Sequence, residues 1–328
     1  MKKKALTAAC PVLVMVGAAL LAGLILLASV ASFPCAAMSG AEPAATPAGQ
    51  GAATNRPGLA SAKTAEEPLL DRFSPVKAAE FLDAKRQVDE KGCLTCHGTY
   101  SYLVVKPLFA SSRKTYREAR LALEKDVVKQ TSLGAQTNLA GMPVVYAVMG
   151  AATLAQLDAA TTGKLQPLTR EALDRMWELQ RDDGHWEWEK QNEAPSAMDD
   201  HFGATLAAIA AGAAPENHAD TPNARQGMAK LRDYFRNHPP QNLHHRTLLL
   251  LASHYLRGLV TEADRQQTVA DLWALQRPDG GWAMGALGNW KRKDGKPQNL
   301  VASDGYGTGL VTQGDCTITH VPTRTWSR

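Results

Sequence analysis

Two stretches decide the fold: Leu173–Trp186, "LDRMWELQRDDGHW", and Val269–Trp282, "VADLWALQRPDGGW". They share Trp, Leu, Gln, Arg, Asp, Gly and Trp in register, with Gln180 and Gln276 separated by 96 residues. Self-similarity of this kind marks a structure built from stacked units. Each stretch reads as an amphipathic helix that stops at Asp183-Gly184 or Asp279-Gly280, because glycine can take the left-handed conformation that ends a helix. Beyond the stop, the Trp can fold back on its helix and donate its indole N–H, while the Gln amide can join neighbouring helix ends.

Outward from the turns the unit has a second shared element. "DDHFGAT" (Asp199–Thr205) and "SDGYGTG" (Ser303–Gly309) align Asp200 with Asp304, Phe202 with Tyr306 and Gly203 with Gly307. Four helices fit in one period, so each period is expected to hold two helical hairpins. Helical spacing of apolar residues also runs through Val76, Ala79, Phe81, Leu82 and Val88, and through Tyr116, Ala119, Leu123, Val127 and Val128. Further helices are expected at 141–160, 169–181, 200–212, 224–237, 242–258 and 262–276. No stretch alternates as a strand would, so the expected class is all-α.

The ends differ from this body. Met1–Lys4 is basic, and Ala5–Pro34 carries no charge, which reads as an export signal or an uncleaved membrane anchor over residues 1–35, with membrane contact through that segment. Either reading places the body in the periplasm or cell envelope. Residues 36–68 are rich in Ala, Gly, Pro, Thr and Ser and cannot bury enough surface to offset their ordering entropy, so a flexible linker is expected there. The repeats then occupy 69–311. From 312 the chain shows no helical stripe, and an irregular tail and a repeat array incomplete at its C-terminal side, through truncation or a frame shift, are expected. Without the three leader lysines the formal charge falls from +4 to +1, which removes the electrostatic argument for nucleic-acid binding. The exported body holds Cys93, Cys96 and Cys316, too few for a disulfide framework.

The Gln-x-x-x-Gly-x-Trp pattern at Gln180, Gly184 and Trp186, and again at Gln276, Gly280 and Trp282, resembles the QW motif of squalene-hopene cyclases and related terpenoid cyclases. Protein prenyltransferase β subunits share the same α/α toroid. The resemblance covers about 165–311 and, loosely, 75–311. It implies a toroid-like barrel of repeated helical hairpins and an isoprenoid-like apolar ligand. In that family an Asp-x-Asp-Asp motif supplies the acid that protonates a polyene. Here "AMDD", Ala197–Asp200, has Ala where the first carboxylate would stand. Asp199, Asp200, His201 and Asp304 are therefore the candidate catalytic residues, with His201 as an activating partner. The same residues also read as helix caps and first-turn acids that complement the helix dipole. Aromatic residues make up 6% of the chain, thin for a pocket that stabilises carbocations on ring faces, and the chain is short for a two-domain cyclase.

"EKGCLTCHGTY", Glu90–Tyr100, holds the strongest local signal. Cys93 and Cys96 can each add to a haem vinyl group, and His97 can then ligate the iron, giving haem c in a compartment where such attachment occurs. Zinc or another metal at the same residues, or a redox-active CxxC, are the alternatives. Met142 is a candidate distal or metal ligand, against a plain role as a core methionine; His244, His245 and His254 are others. Gln87 precedes Gln180 by 93 residues and Gly92 follows it, so the CxxCH falls where Gly-x-Trp would sit in a degenerate first repeat. The functional expectation is an exported cyclase-like repeat protein with a haem or metal site. A c-type electron-transfer protein with a redox partner, or a non-catalytic envelope interaction module, are the other readings.

Overall fold

A computed structural model describes residues 74–85, 99–105, 113–133, 138–190, 199–292 and 295–316. These form ten α-helices and, among the described residues, no strand: α1 (Pro75–Lys85), α2 (Thr99–Val105), α3 (Arg113–Thr131), α4 (Met142–Thr161), α5 (Pro167–Glu178), α6 (Asp200–Ala213), α7 (Pro222–Asn237), α8 (Leu243–Tyr255), α9 (Glu262–Ala274) and α10 (Gly305–Cys316). The all-α expectation holds, and the expected helices from 141 to 276 fall where helices lie. The leader, the linker and the CxxCH lie outside the described residues.

The helices sort into two layers. In one, α4, α6, α8 and α10 pack each on the next; in the other, α3 packs on α5 and α5 on α7. Successive helices pair across the layers as α3 with α4, α4 with α5, α6 with α7, and α8 with α9. Composition explains the sorting. In α4 and α6 most residues are buried on every side, as expected of a helix apolar all round. In α5 and α7 the buried residues fall on one stripe, Ala172, Leu173 and Met176 in the first and Ala224, Leu231, Tyr234 and Phe235 in the second. Helix α4 is long and apolar enough to cross a membrane by length and composition, and 67% of its apolar window is buried against its neighbours.

Close approach of the inner helices uses small residues. A side chain at Gly212 would run into the Tyr255 backbone of α8, and one at Gly150 would meet Val127 of α3. Packing at this density leaves no room for a methyl group.

The C-terminal expectation needs correction. Instead of turning irregular at 312, α10 continues to Cys316. Its stripe is made of Leu310 and Val311, both buried, and of Gly314, which lies against Thr247 of α8, while Thr312 donates to the carbonyl of Thr308. A helix seated on a neighbour through glycine and threonine shows no hydrophobic period.

Candidate functional site

The two repeat turns have the same internal geometry. Gln180 Nε2 donates to the Gly184 carbonyl at 3.0 Å, and Gln276 Nε2 to the Gly280 carbonyl at 3.0 Å. Trp186 Nε1 donates to the Met176 carbonyl at 2.8 Å, and Trp282 Nε1 to that of Leu272 at 2.6 Å. Both glycines sit at positive φ, 99° and 82°. Each indole therefore donates to a carbonyl in the last turn of its own helix, that of Leu272 accepting from Leu275 N as well.

From each turn the chain returns to the start of an inner helix through an aspartate. Asp200 Oδ1 accepts from Trp188 N at 2.8 Å and its other oxygen pairs with Lys190 at 3.0 Å. Asp304 Oδ2 accepts from Met284 N at 2.5 Å, and its Oδ1 caps α10 by accepting from Gly307 N at 2.7 Å. Trp188 and Met284 are 96 residues apart, so both aspartates hold the same backbone N–H of their turn, and Asp304 adds a cap that in the first copy falls to Asp199.

The N-terminal ends of α6, α8 and α10 meet in a cluster of imidazoles and rings. Asp199 caps α6, its Oδ1 accepting from Phe202 N at 3.1 Å, while its Oδ2 lies 2.9 Å from His245 Nε2 on α8. Asn242 caps α8 by accepting from His245 N. Gln241 N donates weakly to His245 Nδ1 at 3.5 Å, which leaves Nε2 as the protonated nitrogen that donates to Asp199. His201 stacks on His245 with ring centres 4.3 Å apart and takes the edge of Phe235. His244 Nε2 lies 2.6 Å from the Tyr306 hydroxyl of α10, and its ring meets Trp290 edge to face.

Burial sets the charge state. It pulls His201 and His244 down to about 3, and the neighbouring His245 adds to the effect on both. Both imidazoles are therefore neutral at ordinary pH. Burial pushes the Asp199 carboxyl up, but the hydrogen bond and charge of His245 and the Phe202 N–H outweigh it, so the group is held below the usual carboxylate range. An aspartate kept ionised is an acceptor, not a proton donor; a protonating acid needs the opposite shift. Both ring nitrogens of His201 lack a hydrogen-bond partner, although only 5% of the residue is exposed. His218, between α6 and α7, is in the same condition.

The structure thus gathers Asp199, His201, His244 and His245 at one end of the inner layer, with Asp304 at the start of the adjoining α10. His254 lies at the other end of α8, about 14 Å along the helix from His245, and is exposed. Met142 is the first residue of α4 and half-buried. Cys93, Cys96 and His97 lie outside the described residues, and among the described residues no group of three or more His, Cys, Asp or Glu is placed to hold a metal ion. Sequence reasoning missed Trp188, Trp290, Phe235 and Lys190 as partners of this region; the Asn242 cap before His244-His245 was the one local signal pointing to it. Neither family models, nor curated proteins, nor solved structures give a match to this chain.

Proposed function

We propose that the chain is an exported α/α-repeat protein of the terpenoid-cyclase-like class that carries haem c at Cys93, Cys96 and His97 and uses its helical hairpins as a rigid frame for that group. The observation that carries this reading is the duplicated Gln–Gly–Trp turn, whose hydrogen bonds recur with the same donors and acceptors 96 residues apart. A toroid-like arrangement accounts for two layers in which each helix packs on the next but one.

The donor set suits haem c: two thiols three residues apart for the vinyl groups and an adjacent imidazole for the iron. Bound there, haem would supply one-electron transfer. What the chain's own residues contribute is a fixed background. Asp200 and Asp304 tie each turn to the next inner helix, and Asp199 joins α6 to α8 through His245. With Asp199 ionised and both its oxygens engaged, polyene protonation at this site is not part of the proposal.

Expression with haem-maturation machinery tests it. The exported protein is expected to show a haem band that survives denaturation and a pyridine haemochrome spectrum, both lost in a Cys93→Ser/Cys96→Ser variant, and to form no cyclised product from squalene. Absence of covalent haem overturns the haem reading. A cyclised product abolished by Asp199→Asn would restore the cyclase reading.

A further inference from the structure

The spacing of α5 and α7 is set by two contacts. Gln180 Nε2 reaches across to the Gly227 carbonyl at 2.9 Å, and the Trp177 ring lies so close to Gly227 that a side chain there would strike it. Beside these contacts the two helices enclose a cleft of about 260 Å³. Its α5 wall carries Asp174 and Glu178, one turn apart, and its α7 wall carries Asn223, Gln226 and Lys230, which fall on one helical stripe. Trp177 completes the lining.

Much of the hydrogen-bonding capacity gathered here is unused. Among the described residues Asp174, Asn223 and Gln226 make no hydrogen bond or ion pair, although Asp174 is half-buried. The Trp177 indole N–H has no partner either, in a residue only 8% exposed, whereas the indoles of Trp186 and Trp282 both donate to carbonyls. Lys230 is held only by a contact of 3.4 Å to the exposed Asp182. The repeat itself does not require the acidic wall. Ala270 and Ala274 stand 96 residues after Asp174 and Glu178, and the second turn keeps its Gln and Trp hydrogen bonds without them. For folding alone, a half-buried carboxylate and a buried N–H without partners are a cost.

The two walls select the chemistry that could fill them. The α5 wall offers carboxylates, which accept, and the α7 wall offers an ammonium and two amides, which donate. A cation in the cleft would face Lys230, an anion would face Asp174 and Glu178, and a hydrocarbon would leave all of these groups unpaired. A hydroxyl group both donates and accepts, so a molecule bearing several of them meets both walls at once. The volume lies just under the range of about 300–1,000 Å³ typical of pockets for drug-sized ligands, which limits the occupant to one small ring. We infer that the α5–α7 cleft is a binding site for a single sugar unit, held between Asp174 and Glu178 on one side and Asn223, Gln226 and Lys230 on the other, with Trp177 at its base. The unit is either a free monosaccharide or the end of a glycan chain. The site is independent of the haem reading.

Titration of the ¹⁵N-labelled full-length protein tests this, with glucose, galactose, mannose and N-acetylglucosamine in one arm and short oligosaccharides of the same units in the other. At least one sugar is expected to shift the Trp177 indole resonance, identified by its loss in Trp177→Phe, with a dissociation constant of about 1 mM, the strength that ordinary ligand efficiency allows a molecule of this size. Tighter binding of the oligosaccharide marks a glycan end as the source, and equal binding marks the free sugar. Asp174→Ala/Glu178→Ala, which gives the first copy the residues of the second, and separately Asn223→Ala/Gln226→Ala on the exposed side of α7, are each expected to weaken binding at least about tenfold, with unchanged helical circular dichroism. Absence of any shift at about 50 mM sugar, far above that dissociation constant, overturns the inference. So does binding indifferent to both double variants, or a response to choline without one to any sugar, since the acidic wall would then be a cation site.

Discussion

Gln180 and Gln276 occupy the same place in the repeat but do unequal work, and the inequality can be measured. Among the described residues Gln276 Nε2 reaches only the Gly280 carbonyl of its own turn, whereas Gln180 Nε2 reaches its own Gly184 and also Gly227 of α7. Replacement by methionine keeps the length and volume and removes the donor. A net hydrogen bond contributes about 1 kcal/mol, so Gln276→Met should cost about 1 kcal/mol and Gln180→Met about 2 kcal/mol, the excess being the second bond, to the Gly227 carbonyl of α7. With a urea dependence of about 3 kcal/mol per molar, the midpoints should fall by about 0.3 M and 0.7 M. The assay is urea unfolding followed by both circular dichroism and tryptophan emission, coincidence of the two curves being the condition for reading midpoints as free energies. The two sites share no partner, so the double variant should show the sum to within about 0.5 kcal/mol. Equal losses at the two positions, or a larger loss at Gln276, would refute the idea that the amide joins α5 to α7.

Acid should weaken the fold well above the carboxylate range. His201 and His244 are held near 3 in the folded chain, so the unfolded chain takes up protons first, and stability should decline as pH falls from about 6.5, by up to about 1.4 kcal/mol per pH unit for each. His201→Phe keeps the ring on His245 and should roughly halve that slope while leaving stability at pH 8 equal or higher, because it removes two buried nitrogens without partners; an unchanged slope would show that His201 is protonated in the fold. Gly227→Ala should cost about 1–3 kcal/mol by driving a methyl group into the Trp177 ring, with partial rescue by Trp177→Phe in a double-mutant cycle; a neutral effect would mean that α7 does not lie as close to α5 as described.

The turns were legible because their determinants are local. Gln180, Gly184 and Trp186 lie within seven residues, and each contact within the turn reaches no further than ten residues, so one sequence window contains both partners. The outer helices were legible for the same reason, their stripes being a property of one segment. The imidazole cluster was not. Asp199 and His245 are 46 residues apart, and His244 meets Tyr306 across 62, so only the stacking of three inner helices brings them together. Read singly, His201 is a candidate activating partner and His244 and His245 are candidate ligands, with nothing local to say that they meet one another. The end of the last helix escaped notice because Thr312, bonded back to its own helix, and Gly314, set against Thr247 of α8, carry no hydrophobic signal.

In a repeated structure, what recurs is what every unit needs in order to fold, and what appears once is free to do something else. Gln, Gly, Trp and the returning aspartate recur, and in both copies each is spent on the frame. Asp199 and His201 of the imidazole cluster do not recur. In the alignment that pairs Asp200 with Asp304, Asp199 corresponds to Ser303, which donates to Asp279, and His201 corresponds to Gly305, which has no side chain. A buried, neutral His201 with both ring nitrogens unpaired, stacked on His245, therefore serves no requirement of the repeat and is a cost that the second copy avoids. The CxxCH likewise occurs once in the sequence. Chemistry specific to this chain is thus to be sought at His201 and the His244 and His245 rings beside it, and, on the haem proposal, at Cys93, Cys96 and His97. The recurring carboxylates, which the family resemblance first points to, are explained by folding alone.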